Sequence, residues 1–93
     1  MAGRDDSRLT PEEFVFGIVL NNKAKAYPTA LVKARGELAD EFQGMNILLR
    51  HEKDLDIVRM FRKRSDGTLE RINPFSAFWF SWVSVHPDTE VYQ

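Results

Sequence analysis

The sequence predicts an α+β fold, an antiparallel sheet of hairpins packed by one C-terminal aromatic helix, and three observations carry that prediction. Apolar residues alternate at strand period in several segments, tight-turn residues separate those segments, and near the C-terminus the apolar residues recur at helical spacing instead. With 93 residues and 43% hydrophobic side chains, the chain is long and apolar enough for one folded domain rather than a disordered one. Residues 1–10 are polar, mixed in charge and poor in large apolar groups, so they cannot repay the entropy of ordering. The expected organisation is therefore a flexible tail at 1–10 and a single small α+β domain at 11–93.

Taken in order, Phe14, Phe16, Ile18 and Leu20 alternate with Val15, Gly17 and Val19, a strand pattern with one strongly apolar face. Asn21-Asn22 follows, and because Asn tolerates positive φ the pair suits a two-residue hairpin turn into Lys23-Ala24-Lys25-Ala26-Tyr27, whose lysines would face water. Pro28-Thr29 opens a short helical segment through Ala30, Leu31, Val32 and Ala34 that Gly36 stops. Residues 37–42, a Gln43-Gly44 turn and residues 45–50 make a second hairpin with Met45, Ile47 and Leu49 on one face. Residues 56–64, the turn Ser65-Asp66-Gly67-Thr68 and residues 69–72 make a third.

The C-terminal helix is expected to start with Asn73 as N-cap and Pro74 as its first residue. Phe75, Phe78, Trp79, Trp82 and Val83 then fall at i, i+3, i+4, i+7 and i+8, and Pro87 ends the helix. The alternation of Phe78, Phe80 and Trp82 keeps a strand reading open over the same residues.

Composition excludes several function classes. Thirteen basic against fourteen acidic residues leave a net charge of −1, so no chain-wide field draws in nucleic acid or an anionic membrane, and a charge-driven partner would need a local patch. The absence of cysteine removes disulfides, thiolate catalysis and thiolate metal sites. No apolar leader precedes residue 10 and no apolar run approaches the ~18 residues of a membrane span, so a soluble chain without export signal is expected. There is no Gly-x-Ser-x-Gly elbow, and carboxylate pairs such as Glu12 with Glu13 or Asp54 with Asp56 are what chance supplies in a chain with 29% charged residues. No catalytic residue and no cofactor is assigned.

Three landmarks come in a recognisable order. They are Gly17-Ile18-Val19 with Lys23-Ala24-Lys25-Ala26-Tyr27-Pro28, then Glu37-Leu38-Ala39-Asp40 with Gly44, and last Phe78-Trp79-Phe80-Ser81-Trp82 with His86-Pro87-Asp88-Thr89-Glu90-Val91-Tyr92. Over residues 14–92 they resemble the prokaryotic family catalogued as domain of unknown function 3179, the closing stretch being the most specific. Many members of that family carry a Cys-Pro-Leu-Cys-like motif and a Trp-His-Glu element. Here Glu52 and Leu55 stand where the cysteines would be, Ala34, Arg35 and Gly36 stand in place of Trp-His-Glu, and the segment between Phe61 and Pro74 is shorter. The resemblance implies the scaffold without its reactive groups and no settled activity; many members look exported.

Three candidate sites remain. The first expectation is a non-catalytic ligand- or partner-binding module. Its contact candidates are Phe80 and Val85, which fall off the apolar stripe, and Tyr27; the partner would be a protein or a second copy meeting the aromatic helix. The alternative is a metal-binding or hydrolytic domain built on His51 and His86 with Asp88 and Glu90, which competes with reading both histidines as solvated connections. The second alternative is single-stranded nucleic-acid binding through the hairpin carrying Arg59, Arg62, Lys63 and Arg64 with Arg71 and Phe61, residues that serve equally as a solvated sheet face.

Overall fold

A computed structural model of the chain describes residues 8–93. Residues 1–7 of the expected tail lie outside the described residues. The element order is β1 (Phe14–Leu20), β2 (Lys23–Pro28), α1 (Thr29–Arg35), β3 (Glu37–Phe42), β4 (Met45–Glu52), β5 (Ile57–Lys63), β6 (Leu69–Ile72), β7 (Phe75–Phe78), α2 (Trp79–Val85) and β8 (Glu90–Val91). The class is α+β, with two four-stranded sheets and a C-terminal aromatic helix. The chain divides into two compact units, one comprising residues up to Thr29 with Phe75–Gln93, the other Ala30–Pro74.

In the first unit the strand order is β7-β1-β2-β8. Asn21 and Asn22 take φ of 53° and 63°, the positive pair that matches a hairpin turn to the strand twist, and Leu20 faces Lys23 directly after it. Two cross-strand rows meet α2. One runs Phe75, Gly17, Ala26, Val91 across all four strands, with small residues in its centre and large ones at its ends. Trp82 lies in that trough, its six-membered ring so close over Gly17 that a Cβ there would overlap it. Val15, Ala26, Trp79, Trp82 and Val83 form the buried cluster, with Leu9, Ala24, Ala77 and Val91 packed around it.

In the second unit the order is β3-β4-β5-β6, antiparallel throughout. Leu38, Leu49, Met60 and Ile72 form one cross-strand row, with Leu38, Leu49 and Met60 fully or nearly buried. Gln43 and Gly44 turn between β3 and β4 with positive φ, and Asp66 closes the β5–β6 turn by accepting bonds from the Thr68 amide and hydroxyl at 3.0 and 2.7 Å. Helix α1 stops where expected: Gly36, at φ +82°, donates its N–H to the Val32 carbonyl at 2.7 Å.

Two expectations are corrected. The C-terminal helix does not begin at Pro74; Phe75–Phe78 is strand β7, paired with Phe14 to Gly17 of β1, and α2 is only seven residues long. The open edge of β1 captures the segment. The first helical amides are then satisfied by backbone, Trp79 N–H bonding the Glu13 carbonyl at 2.7 Å and Phe80 N–H the Pro11 carbonyl at 3.0 Å, while Phe78 makes no side-chain cap. In β1, α2 covers the Val15 and Gly17 side, and Phe14 on the other side is 40% exposed. The second correction is the strand count: β7 and β8 bring the described strands to eight where three hairpins were expected, and β8 pairs with β2 in parallel.

Substituting Gly17→Ala should therefore be far more damaging than an ordinary sheet mutation, because the methyl must displace the Trp82 ring. Urea titration is expected to show destabilisation toward the upper end of the roughly 1–3 kcal/mol that overpacking costs. An unchanged midpoint would mean that Trp82 is not seated there.

Candidate functional site

Trp82 organises the most elaborate side-chain environment in the first unit. Its indole N–H donates to the Thr89 hydroxyl at 2.9 Å, and that hydroxyl donates in turn to the Glu90 carbonyl at 3.0 Å, so a buried polar pair is fully satisfied. Arg8 donates from its guanidinium to the Thr89 carbonyl at 2.8 Å and lies 5.3 Å from the centre of the Trp79 ring. His86 caps α2, donating its N–H to the Trp82 carbonyl, and its ring lies 4.2 Å from that of Trp82.

Two cavities flank this arrangement. A mostly apolar groove of about 480 Å³ has Trp82 in its wall with Val19, Phe75, Ala77, Val85 and His86. Phe75 and Val85 stand 65% and 69% exposed beside it. A polar cavity of about 340 Å³ lies by Asn22, Lys23, His86, Asp88 and Glu90. On the other side of the sheet Phe16, Phe14, Phe78 and Phe80 make a chain of ring contacts with centroids 6.3, 5.4 and 6.0 Å apart, the last pair stacked. Phe80 is 55% exposed at its end.

Phe80 and Val85 are thus exposed, whereas Tyr27 is fully buried and stacks on Tyr92 at 5.7 Å. Of the three contact candidates, Phe80 and Val85 reach solvent, while Tyr27 sits on the inner strand β2. Phe75 moves from expected core to exposed surface, because strand pairing replaced helical spacing. Thr89 was missed: a threonine in a polar run carries no local sign that a tryptophan seven residues earlier needs its oxygen.

His51 is not in a connection. It lies on β4, its side chain 11% exposed, with Nε2 at 2.9 Å from Asp56 Oδ1 and with Nδ1 buried and unpartnered. Because a carboxylate only accepts, Nε2 is the donor of this bond. Asp56 also meets Lys33 Nζ at 3.1 Å, and these two partners, His51 first, hold its carboxyl below its ordinary value of 3.8. His51 belongs to the second unit and His86 to the first. Among the described residues, no three His, Asp or Glu side chains are grouped so as to hold a metal ion.

The basic run is divided by strand alternation. Arg59, Phe61 and Lys63 point to one side of β5, and Arg62 to the side of buried Met60. Arg59 pairs with Glu52 at 2.7 Å, Arg64 with Glu70 at 2.6 Å, and the Phe61 ring is met by Arg50, itself paired with Glu37. A cavity of about 730 Å³ beside this sheet is lined by both signs, among them Glu37, Asp40, Arg50 and Lys63. A phosphate backbone would meet acidic groups together with the bases.

Replacing Thr89 by Val should leave the indole N–H of Trp82 buried without an acceptor. A loss of about 1–3 kcal/mol in chemical denaturation is expected, with an upfield move of the indole proton resonance; an isoenergetic variant would show that the bond contributes nothing. For Asp56, a carbon-detected titration should place the carboxyl midpoint below 3.8. Because the folded-state value is depressed, the associated stability is present above the ordinary value and is lost as pH falls through the lower folded one. Lys33→Met should move the midpoint back up.

A family model described as protein of unknown function (DUF3179) matches residues 1–89. No curated protein and no solved structure matches the chain.

Proposed function

The chain belongs to the DUF3179 family of proteins of unknown function, and from that premise we propose that it is a non-catalytic binding module whose contact surface is the apolar groove walled by Trp82 and its exposed neighbours. The observation that carries this reading is the combination of a cavity with an apolar wall and large apolar side chains left in water at its rim, Phe75 at 65% and Val85 at 69% exposure. Exposed apolar groups collected around a concavity are what a binding surface requires and what a monomer otherwise avoids. The positions matched to the family's cysteines hold Glu52, paired with Arg59, and Leu55, 65% exposed in a turn, so neither offers a thiolate. The occupant is an apolar group or segment. Among the described residues, no helix is long and apolar enough to cross a membrane.

The apolar dye anilinonaphthalene sulfonate serves as a probe. It should bind saturably, with energy transfer from tryptophan and amide shifts at Val19, Phe75 and Val85. Val85→Lys, which places a charge at the rim, should weaken binding by about tenfold, or about 1.4 kcal/mol, without altering the rest of the amide spectrum. Saturable binding that leaves those amides unmoved, or an unaffected Val85→Lys variant, would refute the groove.

A further inference from the structure

We propose that the chain forms a two-fold dimer by pairing the free edge of β7 with the same strand of a second copy, joining the two β7-β1-β2-β8 sheets into one. This inference rests on the backbone of β7, not on the groove side chains.

Among the described residues, strand β7 ends its sheet, with β1 on one side only. The Trp79-to-Glu13 bond sets the hydrogen-bonding phase: residues 75, 77 and 79 direct their backbone groups toward β1, so Ser76 and Phe78 direct theirs outward. Both residues are exposed. Sheet edges in soluble proteins are normally blunted by charge, and the other edges of this chain are: β3 carries Glu37, Asp40 and Glu41, β6 carries Glu70 and Arg71, and the two-residue β8 carries Glu90. Phe75-Ser76-Ala77-Phe78 carries none.

Symmetry selects both the partner and the register. A two-fold axis perpendicular to the sheet keeps each face on its own side, so opposed residues must have numbers of equal parity. Centring the axis on Ala77 sets Ser76 opposite Phe78 of the partner and Phe78 opposite its Ser76. All outward groups then bond reciprocally, giving four hydrogen bonds, and each ring lies across from a small side chain. Centring on Ser76 would instead place Phe78 opposite Pro74, which has no N–H. Pro74 on one side and the start of α2 on the other limit the edge to four residues, the length of β7 itself, which favours a second copy over a longer strand from elsewhere.

The cysteine-free chain allows a direct test. On the axis, Ala77 forms a non-hydrogen-bonded pair with Cα atoms ~4.5 Å apart, within the reach of a disulfide. Under mild oxidation Ala77→Cys should cross-link at least about tenfold faster than Lys53→Cys in an exposed turn, because a dimer holds its thiols at high effective concentration. Ser76→Cys mixed with Phe78→Cys should give the heterodimer in preference to either homodimer. Light scattering on the wild type should show mass rising toward the dimer with concentration. Ser76→Pro deletes only an outward N–H and should abolish that rise while keeping the fold, and Val85→Lys, with its edge intact, should still dimerise even if dye binding is lost. A wild type that stays monomeric at millimolar concentration, or an Ala77→Cys variant no faster than the turn control, would overturn the dimer and leave the groove to be judged on the dye alone. Strand addition by an unrelated extended peptide to a monomeric wild type would likewise overturn it.

Discussion

The placement of Trp82 over Gly17 is the constraint on which the first unit depends. A bulky ring approaches the backbone of a sheet only where side chains are absent or small, and the row Phe75, Gly17, Ala26, Val91 supplies that trough. Once the ring is seated, its N–H faces inward and must find an acceptor. Thr89 provides one, which fixes the path of the chain after Pro87 and brings Val91 alongside Ala26 in the short parallel pair. Arg8 then bonds the Thr89 carbonyl. The beginning and end of the described chain are thus tied to one indole, and seven helical residues stay folded despite an intrinsic helical stability too small for that length.

What was legible in the sequence was local. Asn21-Asn22, Gln43-Gly44 and Gly67 mark hairpin turns because positive φ is a property of the residue itself, and all three hairpins stand at those positions. Gly36 marks the end of α1 for the same reason. What was not legible depended on distant partners. The start of α2 carries no capping side chain, since its first amides use the carbonyls of Glu13 and Pro11. Asn73-Pro74 looked like a helix start and is the approach to a strand, because β1 had an unpaired edge to offer. The stripe from Phe75 to Val83 mixed two periods: Trp79, Trp82 and Val83 are core, while Phe75 and Phe78 belong to a strand and remain exposed. Of the alternating Phe78, Phe80 and Trp82 only Phe78 lies in the strand, and of the helical stripe only Trp79, Trp82 and Val83 lie in the helix.

In the second unit, charge is settled locally. Arg50 with Glu37, Arg59 with Glu52 and Arg64 with Glu70 each join neighbouring strands or the two arms of one hairpin. The side chains involved are largely exposed, so these pairs contribute little to stability. Their effect is on recognition. A cluster that reads as basic along the sequence is interleaved in space with carboxylates and split between two faces by strand alternation, which removes the one-signed groove that a phosphate backbone needs. The Lys33, Asp56 and His51 contacts belong to the same pattern, ordering the turn between β4 and β5.

Exposed apolar surface is distributed differently between the two units. In the second, Leu55, Ile57 and Leu69 are exposed one to an element, the ordinary scatter of a soluble surface. In the first, Phe14, Val19, Phe75, Phe78, Phe80 and Val85 are all exposed, and four of these six belong to one run of eleven residues, 75–85, that also provides an uncharged sheet edge and one wall of a groove. Stability alone gives no reason for that arrangement, since a thin core gains most by burying its aromatics and the same helix does bury both tryptophans. Trp79 and Trp82 hold the run in place from beneath; Phe75, Phe78, Phe80 and Val85 face outward from it. An anchored backing under an apolar exterior is what the proposed contact surface requires, and one stretch supplies both, with the two tryptophans inside and the exposed phenylalanines and Val85 outside.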